Sequence, residues 1–230
     1  MTEEVLYTCG HSRAELAGFE ESRWGLGEVT YCINGYPVGL GLSPTDVEQI
    51  VAQAFQSWAN VCGLRFRRVT NPNDANILMG VARGKRAGFD GPLNVLAYCY
   101  LPSGDNFRGQ IEMYWDLDEA WSKSADRNSI ALLNVTAHEL GHGLGLSHTN
   151  IQRQLMNPSY SPAIAGPQSN DIAEVVRRYG PPSAMPTPTP TPPPLPPSGG
   201  QVKAKVEISG QVYGGYLSLL SGAAKVELQE

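Results

Sequence analysis

His138-Glu139-Leu140-Gly141-His142-Gly143-Leu144-Gly145-Leu146-Ser147-His148, with Met156 downstream, is the stretch that decides the fold. Two histidines four apart fall on one face of a helix, about one turn from each other. Both imidazoles can then reach one metal ion. Glu139, beside the first of them, is placed to act as a base on a water at that metal. Gly145 can take the positive φ that turns a chain sharply. The turn brings His148 back as a third ligand and leaves a fourth position open. Three protein ligands and one open position suit a catalytic zinc rather than a structural one. The competing reading is a glycine-rich amphipathic core helix with histidines on its polar face. The glycine turn and the third histidine leave that reading little room.

The rest of the composition narrows the function classes. The chain has 230 residues, enough for one ordinary domain with appendages. A net charge of −5 and the lack of any Lys/Arg run point away from nucleic acid as a partner. No apolar run reaches the length of a membrane span. Met1-Thr2-Glu3-Glu4 does not open a secretory signal, so none is expected in this chain. There are four histidines, and the zinc motif takes three, leaving His11. A second, histidine-rich zinc site is excluded by that count. The four cysteines, Cys9, Cys32, Cys62 and Cys99, allow two disulfides in three pairings, or buried thiols.

Residues 1–22 read as an N-terminal extension, and the domain proper runs over residues 23–180. Glu28–Ile33 alternates and is expected as a first strand. Ser43-Pro44 opens a helix as N-cap and first residue. Val47, Ile50, Val51, Ala54, Phe55 and Trp58 give it an apolar face. Arg65–Val69, Asn76–Val81 and Ile111–Trp115 are further strands. The active-site helix is expected over Ser129–Leu144, and a closing helix over Ser169–Gly180. Residues 181–200 are a Pro/Thr-rich spacer in extended polyproline conformation. Residues 201–230 alternate as strands but are too few to bury a core alone. They suit an oligomerisation hairpin, a truncated module or a strand added to another protein.

The chain resembles the metzincin metallopeptidases, through the extended zinc motif and the later Met. Within them it is similar to the matrixins, or matrix metalloproteinases. Met156 lies eight residues after His148, Thr149 comes directly after that histidine, and Leu155-Met156-Asn157-Pro158-Ser159-Tyr160 matches the matrixin turn. The resemblance covers about residues 23–180. It implies an α+β metzincin fold: a twisted mixed five-stranded sheet, three helices and a Met-turn. It implies a zinc endopeptidase with Glu139 as catalytic base and Met156 as an apolar floor beneath the metal. Leu96 and Ala97 would form the edge that binds substrate, and Pro158 and Tyr160 the wall of an S1′ pocket for an apolar P1′ residue.

Gly88-Phe89-Asp90-Gly91-Pro92 through Ala97 resembles the matrixin calcium loop. The ligands carried over are Asp90, the carbonyls of Gly91, Leu93 and Val95, and the carboxylates of Asp116 and Glu119. Oxygen-only ligands suit that hard cation. Tyr98 and Tyr114 stand where the family has structural-zinc histidines, and Lys85 where another ligand is expected, so that site is expected to be lost. Asn76 stands at an acidic position of a further calcium site, which is in doubt for that reason. Cys9-Gly10 is similar to the latency dipeptide of matrixin pro-segments, where a thiolate caps the zinc. Secretion is expected from the family. The alternative function is a metal-binding adhesion or assembly protein with a vestigial peptidase site, motivated by the Pro/Thr spacer and β tail.

Overall fold

The computed structural model describes residues 22–37, 41–84, 88–125 and 129–182, and the backbone of three strands between Val202 and Leu228. The chain divides into two compact units between Ser183 and Ala184. Cys9, His11 and Lys85 lie outside the described residues.

The first unit is built on a five-stranded sheet. Its strands are β1 (Glu28–Ile33), β2 (Arg65–Arg68), β3 (Ile77–Ala82), β4 (Ala97–Cys99) and β5 (Ile111–Asp116), in spatial order β2-β1-β3-β5-β4. The first four in that order run parallel, and β4 pairs antiparallel to β5 at the edge. The sheet is therefore mixed, and its one antiparallel edge borders the cleft described below. β4 is short, and Leu96, expected to share the substrate edge with Ala97, lies just before it. Only Ala97, Tyr98 and Cys99 sit in register with β5.

Helix α1 (Pro44–Ala59) starts as expected. The Ser43 hydroxyl accepts from Asp46 N–H, and the Asp46 carboxylate accepts from Ser43 N–H, satisfying two donors reciprocally. Its buried stripe of Val47, Ile50, Val51, Ala54, Phe55 and Trp58 meets both sheet and second helix in one core. The Trp58 indole N–H donates to Ala137 O of that second helix at 2.9 Å, so this large core side chain is also satisfied.

The second helix, α2 (Leu132–Gly143), begins three residues later than the sequence suggests. Ser129 looks like a cap, but Ile130–Ala131 form a short strand (β7) beside Trp121–Ser122 (β6). Ser129 hydrogen-bonds Ser122 instead, and Ala131 N–H donates to the Tyr160 hydroxyl at 3.1 Å. Helix α3 (Ser169–Tyr179) closes the unit. Gln168 and Asp171 cap it, and Gly180 ends it at φ 73°.

Cys32, Cys62 and Cys99 are buried and no disulfide joins them to one another. No helix among the described residues is long and apolar enough to cross a membrane.

The second unit holds an antiparallel sheet of β8 (Val202–Ile208), β9 (Gln211–Leu220) and β10 (Ala223–Leu228). It is a three-stranded meander. The third strand arises because Ala223–Leu228 continues the pairing along the far side of β9, Val226 opposite Leu217.

Candidate active site

Helix α2 carries His138, Glu139 and His142 on buried positions, and the turn after it carries His148. That turn has a definite construction. Gly145 N–H donates to His142 O at 2.7 Å, and Leu146 N–H donates to Gly141 O at 2.9 Å. This is a Schellman ending with Gly145 at φ 86°. Glycine is required there twice over. Its φ lies in the left-handed region, and a Cβ would overlap the backbone carbonyl of Ser22.

The turn folds His148 back over the helix. Its Nε2 lies 3.3 Å from His138 Nε2 and 3.1 Å from His142 Nε2. Tetrahedral nitrogen ligands at zinc distances of 2.0–2.1 Å would stand about 3.3 Å apart. The two helical imidazoles are also oriented for a metal. His138 Nδ1 is 2.6 Å from Leu155 O, and His142 Nδ1 is 2.7 Å from Leu146 O. A carbonyl can only accept, so each Nδ1 carries the proton and each Nε2 keeps its lone pair for a metal. Three imidazole nitrogens converging on one point fit zinc. Among the described residues this triad is the only cluster of three or more His, Cys, Asp or Glu close enough to hold one ion.

Beside the triad lies a pocket. His138 and Glu139 form one wall, Leu96 the side nearest β4, and Pro158–Tyr160 the opposite wall. Glu139 is fully buried next to the ligands. Ala97, expected to share the substrate edge, is buried and paired with Trp115 of β5, and of the two only Leu96 lines the pocket. Met156 packs beneath α2. A Cβ on Gly141 would overlap its sulfur, so the glycine lets the Met come in close.

Three features are invisible in the sequence. Asp171 of α3 is fully buried, and its carboxylate accepts from Leu155 N–H at 2.7 Å, Met156 N–H at 3.2 Å and Gln168 N–H at 2.8 Å. It pins the Met-turn to α3. Asn134 of α2 donates to Ser161 O and Pro162 O at 3.0 and 3.1 Å, tying the pocket loop to the helix. Tyr160 spans the same gap through its hydroxyl. Only the polar cap of α3 hints at Asp171; its second duty needs tertiary structure to be seen.

The candidate calcium residues surround a tight loop. Gly91, Leu93 and Asn94 all have positive φ, at 96°, 72° and 68°. Leu93 N–H donates to Glu119 Oε1 at 2.5 Å, and Asn94 donates to Asp90 at 3.1 Å. Asp116 is fully buried, and its Oδ2 has no hydrogen-bond partner among the described residues. Burial, with Asp118 and Asp90 nearby, pushes Asp116 up. Burial, then the charges of Asp116, Asp90 and Asp118, push Glu119 up to about 7 against the pull of Leu93 N–H. The carboxylates are not drawn together tightly enough to form a metal cluster by themselves.

At the position of the family's structural zinc, Tyr98 sits opposite Tyr114 in register, with ring centroids 5.5 Å apart. Phe89 and Tyr100 pack on Tyr98 at 5.4 and 5.5 Å. Aromatic contact occupies this position. Asn76 is likewise structural: its carbonyl accepts from Thr30 N–H and hydroxyl, and its amide donates to Gly109 O.

A three-histidine site on a helix and the turn that follows it, with a buried glutamate beside it on the wall of a pocket, is the arrangement of a metal-dependent hydrolase. The family profile described as Matrixin matches residues 23–180. Karilysin of Tannerella forsythia is 32% identical over 169 residues, 71% of this chain and 34% of its own. Stromelysin-3 of Mus musculus is 36% identical over 171 residues, 72% of this chain and 33% of its own. Interstitial collagenase of Oryctolagus cuniculus is 38% identical over 141 residues, 60% of this chain and 28% of its own. The chain belongs to the matrixin family, and with it to the zinc metalloendopeptidases. It spans about a third of the length of the curated relatives it matches.

Proposed function

We propose that this chain hydrolyses internal peptide bonds of extended protein substrates, with an apolar residue preferred on the P1′ side. The single observation that carries this reading is the convergence of His138, His142 and His148 on one point, with His138 and Glu139 lining the adjoining pocket. Zinc held by the three imidazoles would supply a Lewis acid for the scissile carbonyl and a lowered pKa for attacking water. Glu139 takes the proton from that water as its oxygen joins the carbonyl carbon. It then delivers the proton to the amine nitrogen as the C–N bond breaks. The substrate backbone adds as a strand along the Leu96–Ala97 edge, for which β4's outer position in the sheet is suited. The P1′ side chain enters between Leu96, Val135 and the Pro158–Tyr160 wall, and Met156 floors the metal site. Digestion of a proteome-derived peptide library tests the reading. Cut sites enriched in apolar residues at P1′ are expected, and cuts without any P1′ preference would remove the pocket from the mechanism.

Calcium belongs to the same proposal, held by Asp90, Asp116, Glu119 and the carbonyls of Gly91, Leu93 and Val95. The buried, unpartnered oxygen of Asp116 and the positive-φ loop support it. A cation there would offset the repulsion among these acids and stabilise the folded state by mass action. Removing calcium at constant zinc is expected to lower the melting temperature by several degrees. Identical melting curves with and without calcium would count against the site. The setting is proposed to be extracellular, in keeping with relatives such as an interstitial collagenase.

A further inference from the structure

The last carbonyls of α2 have an unusual set of partners. Gly141 O and His142 O are taken by the Schellman turn. Gly143 O accepts from the Trp24 indole N–H at 2.8 Å. Leu144 O accepts from the Tyr179 hydroxyl at 2.8 Å, and that oxygen accepts in turn from Trp24 N–H at 3.1 Å. Burial pushes the Tyr179 phenol above its usual range, so the hydroxyl keeps its proton and donates. The two groups that finish the helix thus come from opposite ends of the domain, one from its entrance and one from the last residue of α3.

The same place is closed from below by Ser22. Its carbonyl accepts from Arg178 Nη1 at 2.9 Å and sits directly against Gly145. The turn is held on both sides, and it leads straight into His148. A carbonyl at a helix end that loses a buried partner pulls toward water or another donor. Here the movable part is the Leu144–Gly145–Leu146 turn. Its Leu146 carbonyl also orients His142 through Nδ1. Two of the three imidazoles therefore depend on this turn.

We propose that Tyr179 and Trp24 are positioning residues of the metal site: they fix the end of α2 so that the Gly145 turn presents His148, and orients His142, for the metal. The proposal rests on the reading of His138, His142 and His148 as the zinc ligands. It also gives the entrance segment a task in the active enzyme. Processing that removed Ser22–Trp24 would loosen the metal centre.

The test uses the full zinc-loaded chain and tracks zinc transfer to a chromophoric chelator. Tyr179→Phe keeps the ring and removes only the hydroxyl. It is expected to weaken zinc binding on the order of tenfold, the lower end of what lost outer-shell partners cost a metal site. The visible spectrum of the Co²⁺-substituted variant is expected to shift. Trp24→Phe, which removes the indole N–H, should act in the same direction. Thr30→Val is the control, because it removes a hydroxyl tie between β1 and the Asp74–Asn76 segment. It should lower the melting temperature and leave zinc release and the Co²⁺ spectrum at wild-type values. Wild-type zinc release from Tyr179→Phe would overturn the proposal. So would an equal change in Thr30→Val at the same loss of melting temperature. A wild-type chain that held no zinc would overturn the ligand assignment, and the proposal with it.

Discussion

Glu139→Ala is expected to stop peptide hydrolysis while one zinc per chain remains bound. Zinc retention is expected from the donor set, which is three imidazole nitrogens and does not include the carboxylate. Loss of turnover is expected from position. Glu139 is buried beside His138 on the pocket wall, where attacking water must stand. A positioned base contributes about 10²–10⁴-fold to such a step, so kcat should fall by at least that range. Zinc analysis and kcat measured on the same sample check both halves. A variant retaining most of its activity would take Glu139 out of the mechanism. An inert wild type with the same zinc content would favour the vestigial, adhesive reading.

Asp171→Ala is expected to be the most damaging change to stability away from the triad. The substitution leaves the N–H groups of Leu155 and Met156 without their acceptor in a buried setting, and removes the part-buried cap on Gln168 N–H. A buried donor left unsatisfied costs about 1–3 kcal/mol, and relaxation of the turn recovers part of the sum. A loss of about 3–5 kcal/mol is expected, read as a drop in the denaturant midpoint at unchanged slope. Activity should fall further than the folded fraction does, because Leu155 also orients His138 through its carbonyl. A loss under about 1 kcal/mol, the size of an ordinary surface substitution, would show that the Met-turn holds its shape without Asp171.

The parts of the site legible in the sequence are those whose geometry is local. The spacing of His138 and His142 and the freedom of Gly145 operate within about two helical turns, and the structure brings all three histidines together. Helix α1 is readable for the same reason, since Ser43, Pro44 and Asp46 set its start within four residues. The start of α2 is not. Ser129 has the chemistry of a cap, but a strand pairing with Trp121–Ser122 claims the next two residues first. Asp171 and Tyr179 each read as ordinary helix residues, one in a cap and one beside a terminal glycine. Their bonds to Leu155, Met156 and Leu144 cross gaps of 16, 15 and 35 residues, and no periodicity carries that information. The histidine count argues against a second zinc at Tyr98 and Tyr114, because only His11 is left over. That the two rings pack on each other there depends on the register of β4 against β5, which no local pattern encodes.

Whether the three histidines and Glu139 form a working zinc peptidase is decided most directly by mass-spectrometric mapping of cut sites. A peptide library is incubated with the zinc-stripped chain, then with zinc added back in steps. No cuts are expected from the stripped protein, and full recovery is expected at one equivalent of zinc per chain. Zinc added to Glu139→Ala should restore nothing. Cleavage that persisted without zinc, or that appeared equally with Glu139→Ala, would refute the zinc-and-glutamate mechanism.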